Sequence, residues 1–121
     1  MMTEIDSKTK GDVTTTHAAG TSETTTSAIV ECKGKNALLV EVTISGGAAN
    51  WTFKVQGALK RNGTYFDLYQ QNAAGTWTAM SYQFNASRMF VVYGIPDYIK
   101  IVATEDAGSS TVEVRVQPFV M

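Results

Sequence analysis

Chemistry needs groups that can be brought together, and this chain supplies few of them. It has a single histidine, His17, and a single cysteine, Cys32. His17 lies between Thr14-Thr15-Thr16 and Thr24-Thr25-Thr26, whereas a general base must be held within hydrogen-bond reach of its target. A Thr-rich segment gives no such hold, so a solvated histidine is the expectation. Cys32 alternates with Val30 in an apolar run, which favours a buried, inert thiol over a Cys-His nucleophile. One cysteine cannot close an intramolecular disulfide, and one His with one Cys cannot complete a zinc tetrahedron. Glu105-Asp106 is a lone acidic pair that Asp67 and Asp97 join only if the fold gathers them. No Gly-rich phosphate loop, Gly-x-Ser-x-Gly elbow or dinucleotide fingerprint is present. The residues therefore favour a chain that is not an enzyme and has no cofactor or metal.

Aromatic side chains offer a different chemistry, stacking against sugar rings, bases or a protein surface. Trp51 is in phase with Phe53 and Val55, so it is expected in the core. Trp77 alternates with Ala79 between Thr76 and Thr78, and the same phase argument sends it inward. Tyr65 and Tyr69 share a face with Asp67, which reads as half wet. Tyr65 and Tyr69, with Trp77 if it is exposed, make the candidate contact surface.

The elements that must position these groups are strands. In 111–117, Val112, Val114 and Val116 alternate with Glu113, Arg115 and Gln117, the period of two that a strand with one buried face requires. Ile99, Ile101 and Ala103 in 98–104 face them, and the intervening Glu105-Asp106-Ala107-Gly108-Ser109-Ser110 predicts a turn, so that 98–117 reads as a hairpin. Earlier runs at 28–33, 37–44, 50–57, 65–69, 76–80 and 84–93 have strand character, broken by Ser45-Gly46-Gly47-Ala48, Asn62-Gly63, Asn72-Ala73-Ala74-Gly75 and Gly94-Ile95-Pro96-Asp97. Asn-Gly accepts the positive φ angles of a type I′ turn, which predicts a tight hairpin there. Weak strand formers at Gln83, Ala86, Ser87 and Arg88 leave room for one helical turn within 83–90. Polar rows opposite the apolar ones suit antiparallel sheets. The expected fold is all-β, an antiparallel sandwich of jelly-roll type with about eight strands and an extended N-terminal arm.

Residues 1–27 differ in kind from the rest. Their only larger aliphatics are Ile5 and Val13, too few to offset the entropy of ordering. They are expected to be an arm, either flexible or ordered by a partner, leaving 28–121 as the sandwich domain. Its candidate attachment residues are Thr14, Thr15, Thr16, His17, Thr24, Thr25 and Thr26. The formal net charge of −1 over 121 residues, with both signs scattered, gives no basic surface for nucleic acid or an anionic membrane. No apolar run approaches the roughly 20 residues of a membrane-spanning helix, and no signal-peptide core is visible at the start. Folding in a cytoplasm is the default. The triplets at Asn50, Asn62 and Asn85 that match a glycosylation pattern read as chance.

In layout, a Thr/Ser-rich arm followed by a sandwich that closes on Gly94-Ile95-Pro96-Asp97-Tyr98-Ile99-Lys100-Ile101 and an alternating last strand, the chain resembles the small β-sandwich virion proteins of tailed bacteriophages. These decorate or cement capsids or sit in tail and neck assemblies. The resemblance implies a non-enzymatic structural role in the virion, assembled in the bacterial cytoplasm. It also implies protein partners, either further copies or capsid subunits, reached through an arm and sheet surfaces. Two other readings stay open: a carbohydrate-binding module using Tyr65, Tyr69 and Trp77, and an enzyme built on Asp67, Asp97, Glu105 and Asp106.

Overall fold

The computed structural model describes residues 10–121, apart from the side chains of Ala48 and Ala107. It is an all-β antiparallel sandwich, with no helix among the described residues. Two long strands, β4 (Ala37–Ala58) and β10 (Tyr98–Phe119), form a ribbon by pairing from Ala37↔Phe119 to Ala58↔Tyr98. Halfway along, the register slips between Glu105 and Ala107 and again between Gly108 and Ser110. Gly46 (φ +97°) and Gly108 (φ +104°) take left-handed backbone at this point, a conformation glycine adopts without the Cβ penalty. At Gly47 a Cβ would lie 2.7 Å from Ser109 Oγ. Bulges and small residues let a ribbon bend sharply, and here the bend brings its two halves into one core.

The remaining strands complete a layer on each half. The N-terminal half of β4 carries β9 (Arg88–Tyr93), and the facing half of β10 carries β1 (Thr14–Thr21), giving a first layer β1-β10-β4-β9. The C-terminal half of β4 carries β5 (Phe66–Asp67) and β8 (Ser81–Phe84). Opposite them, β10 carries β2 (Thr25–Thr26) and β3 (Val30–Glu31). Two further strands, β6 (Tyr69–Gln71) and β7 (Trp77–Ala79), pair only with each other.

The core follows the predicted alternation. Leu38, Val40, Val42, Val112, Val114 and Val116 point inward from the first layer. Trp51, Phe53, Val55, Ile99, Ile101 and Ala103 point inward from the second, and all belong to one buried cluster. Each large apolar side chain so buried contributes on the order of 1.5–3 kcal/mol. The Trp51 indole N–H is also satisfied, donating to Ser110 Oγ at 2.8 Å inside the bend.

Five expectations are corrected. The stretch 98–117 is not a hairpin: β10 is continuous, and both of its arms pair with β4. The Gly, Ser and acidic residues that suggest a turn form the bend instead. Likewise 37–44 and 50–57 are halves of one strand. Asn62-Gly63 makes no type I′ turn, since among the described residues no non-glycine residue has positive φ. Gly63 N donates to Lys60 O at 3.0 Å, so glycine ends the turn, and a wide loop over 59–65 joins β4 to β5. The stretch 83–90 holds no helical turn; Ser87 sits between β8 and β9, its hydroxyl accepting from Ile44 N at 2.9 Å.

The fifth concerns the arm. Of residues 1–27, the first nine lie outside the described residues. From Thr14 onward the segment is part of the sandwich: Thr14, Thr15 and His17 pair with Val116, Arg115 and Val114, and Thr25 and Thr26 with Ala103 and Val102. Thr16 Oγ1 lies 3.3 Å from Val114 O, while exposed Thr24 lies in the link between β1 and β2. Successively β1, β2 and β3 run beside β10 along its length. An edge strand needs backbone partners more than aliphatic side chains, so low apolar content does not keep it out of a sheet.

Candidate functional site

The residues singled out for chemistry do not converge. His17 is 2% exposed, far from solvated. Its Nε2 lies 2.9 Å from Thr25 O, a group that can only accept, so Nε2 carries the proton. Nδ1 is then the acceptor for Thr16 Oγ1 at 3.1 Å. Burial lowers the imidazole pKa below its usual value, opposed by the contact with Thr25. His17 thus clips β1 to β2 across the bend. Cys32 is buried, with its thiol pushed up to about 12, first by burial and then by the charges of Asp97 and Glu31. That matches the inert thiol expected.

The four carboxylates point to different neighbours. Asp67 accepts from Gln56 Nε2 at 3.0 Å and lies 3.8 Å from Lys54 Nζ. Asp106 accepts from Thr52 Oγ1 and from Gln83 Nε2. Asp97 offers its backbone carbonyl to Cys32 N, and Glu105 sits opposite Trp51. Among the described residues no three of His, Cys, Asp and Glu are grouped as metal ligands.

The aromatic candidates fare better. Between β5 and β8 the chain leaves the sheet as the hairpin β6–β7. Its base is held by Leu68 N to Val55 O at 3.0 Å and Met80 N to Leu68 O at 2.7 Å, with Met80 buried. Its tip is set by sequence. Asn72 Oδ1 accepts from Ala74 N at 2.9 Å and Thr76 N at 3.1 Å, and Gly75 takes φ +81°, the asparagine and glycine roles expected of such a turn. Pairing sets Tyr69 opposite Ala79 and Gln71 opposite Trp77, so these four share one face.

Trp77 is 63% and Tyr69 57% exposed, which corrects the inward phase expected of Trp77. The alternation is present, but among the described residues no second layer covers this hairpin. Tyr65 is separate from it: half-buried, its hydroxyl donates to Arg61 O at 2.9 Å and its ring lies 4.4 Å from Lys100 Nζ.

Two further surfaces escape a reading by motif. An open apolar groove of ≈ 540 Å³ lies at one end of the sandwich, between Gly57, Leu59, Phe66 and Pro96. A Cβ at Gly57 would fall 2.5 Å from Pro96 Cγ, so the groove requires glycine there. The outer face of the first layer carries exposed Val13, Met89 and Tyr93 around half-buried Leu39 and Val91. On that layer β9 pairs only with β4 among the described residues, leaving its other edge open. By contrast, the outer face of the second layer is polar, built from Thr52, Lys54, Gln56, Asp67, Gln83 and Lys100.

The fold has known counterparts. No protein-family profile and no curated sequence matches the chain. Among solved structures, the SPBc2 prophage-derived protein YomS superposes with TM-score 0.60 at 18% identity, over 90% of this chain and 91% of YomS. The PBSX exported protein XepA gives TM-score 0.61 at 18% identity, over 90% of this chain and 38% of XepA. The chain thus spans nearly all of YomS but well under half of XepA, and its fold is the one these proteins share.

Proposed function

We propose that this chain is a non-enzymatic structural component of a phage-derived assembly, located in the virion, that binds neighbouring copies through its first layer. The observation that carries this reading is the outer face of that layer. Val13, Met89 and Tyr93 are 61%, 54% and 56% exposed; Met89 and Tyr93 stand on β9, whose outer edge is open, and Val13 lies across the same face, just before β1. An edge strand of apolar sequence, here Met89-Phe90-Val91-Val92-Tyr93 without an interior charge or proline, offers unpaired N–H and C=O groups to another chain. The fold likeness to a prophage-derived protein supports the phage setting. Because residues 14–26 pair with β10 within the chain, the reading rests on the sheet surface and not on the N-terminal segment.

Light scattering coupled to size-exclusion chromatography tests it. The wild-type chain should elute as an oligomer at micromolar concentration. Met89→Lys with Val91→Lys, placing charge on the outer face of β9, should give a folded monomer. A wild-type monomer, or a double variant that assembles as before, removes the reading.

A further inference from the structure

The hairpin β6–β7 carries an observation that assembly does not use. From Leu68 to Ser87 the chain has no Asp, Glu, Lys, Arg or His. Around exposed Tyr69 and Trp77 stand exposed amide and hydroxyl side chains: Gln70, Gln71, Asn72, Thr76 and Thr78. Tyr69 and Trp77 are diagonal neighbours on one face, a relation that sets their Cβ atoms about 7–8 Å apart, and Gln71 lies directly across from Trp77. Neither Tyr69 Oη nor Trp77 Nε1 has a hydrogen-bond partner among the described residues.

We propose that Trp77, Tyr69 and Gln71 form a binding site for a neutral glycan. The C–H faces of sugar rings stack on the aromatic rings, and ring hydroxyls pair with the Gln71 amide, Trp77 Nε1 and Tyr69 Oη. Competing ligands fit poorly. A nucleic acid needs cations for its phosphates, and the segment supplies none. A protein partner in a stable complex covers about 800 Å² on each side, beyond what two three-residue strands present. The groove at Phe66 and Leu59 is nearly all apolar and would leave sugar hydroxyls unpaired. The turn held by Asn72 and Gly75 fixes the face before a ligand arrives, which limits the entropy lost on binding.

The two tryptophans make the test direct, because Trp51 is 0% and Trp77 63% exposed. The assay is native affinity electrophoresis of the full chain in gels containing hydroxyethylcellulose, glycol chitin, glucomannan or dextran. At least one polysaccharide should retard the wild type and protect its fluorescence from acrylamide quenching. Trp77→Ala should weaken retardation at least tenfold, and Tyr69→Ala should weaken it less, with circular dichroism unchanged. Phe66→Ser, in the apolar groove, should leave it unaltered. No retardation in any gel, equal retardation of Trp77→Ala, or binding confined to sulfated polysaccharide overturns the proposal. Should Trp77→Ala fail to fold, the quenching protection in the wild type decides. The site shares no residue with the outer face of the first layer. A monomer that is retarded therefore removes the assembly reading alone, and an oligomer that is not retarded removes this one alone.

Discussion

The bent ribbon and the hairpin β6–β7 are built by the same rule and end in opposite environments. Trp51 in the ribbon and Trp77 in the hairpin each alternate with polar neighbours, yet one is fully covered and the other largely bare. In the ribbon the bend lays one half over the other, so every inward residue of β4 and β10 meets a facing layer. The hairpin leaves the sheet at Val55, and among the described residues nothing covers its aromatic face. Alternation tells which side chains share a side. Whether that side is dry depends on what the chain places across from it.

The difference can be broken first at the tryptophans. Trp51→Ala should cost about 3–5 kcal/mol in urea unfolding through the cavity it leaves. Trp77→Ala should stay within about 0.5 kcal/mol, as exposed positions do. Equal losses would mean that the hairpin packs as tightly as the core. A smaller effect is expected at Gly75→Ala, where the left-handed backbone costs an L-residue about 1–2 kcal/mol. Hydrogen exchange should quicken across Tyr69–Ala79 while the β4–β10 amides keep their protection. Exchange that rises everywhere would show that the hairpin opens only with the ribbon.

His17 sharpens the comparison from the ribbon's flank. Its folded pKa lies below the unfolded value near 6.5, so the unfolded chain takes up the proton first as pH falls. The stability that His17 contributes is therefore complete above that value and is lost on acidification through the lowered folded pKa. Melting temperature should fall between pH 7 and pH 5, less steeply in His17→Gln. Identical slopes would exclude His17 as a source. The smallest expected signal is none at all: Cys32 should resist thiol reagents at pH 8 until the chain unfolds, and prompt modification of native protein would contradict its burial.

Much of the fold is legible in the sequence, because the inward rows at Val112-Val114-Val116, Ile99-Ile101-Ala103 and Trp51-Phe53-Val55 follow from period alone. The bend is not. Ser45-Gly46-Gly47-Ala48 and the acidic, Gly- and Ser-containing stretch 105–110 have the composition of turns, and only their pairing across the ribbon makes them a corner. The N-terminal strands are hidden for another reason. Their backbone groups are bonded by β10, and a backbone leaves no mark on composition. At the hairpin, Tyr69 and Trp77 are legible as aromatics and the missing charge over 68–87 is plain in the sequence, but their common face depends on register.

Because β4 and β10 each pass through both layers, neither sheet has a separate existence. Their nearest paired residues, Ala58 and Tyr98, are separated by the whole of 59–97, so the chain must close that long loop before the ribbon can zip. Such non-local pairing places folding in the slow, millisecond-to-second class of β proteins, and loss of the corner dissolves both faces together.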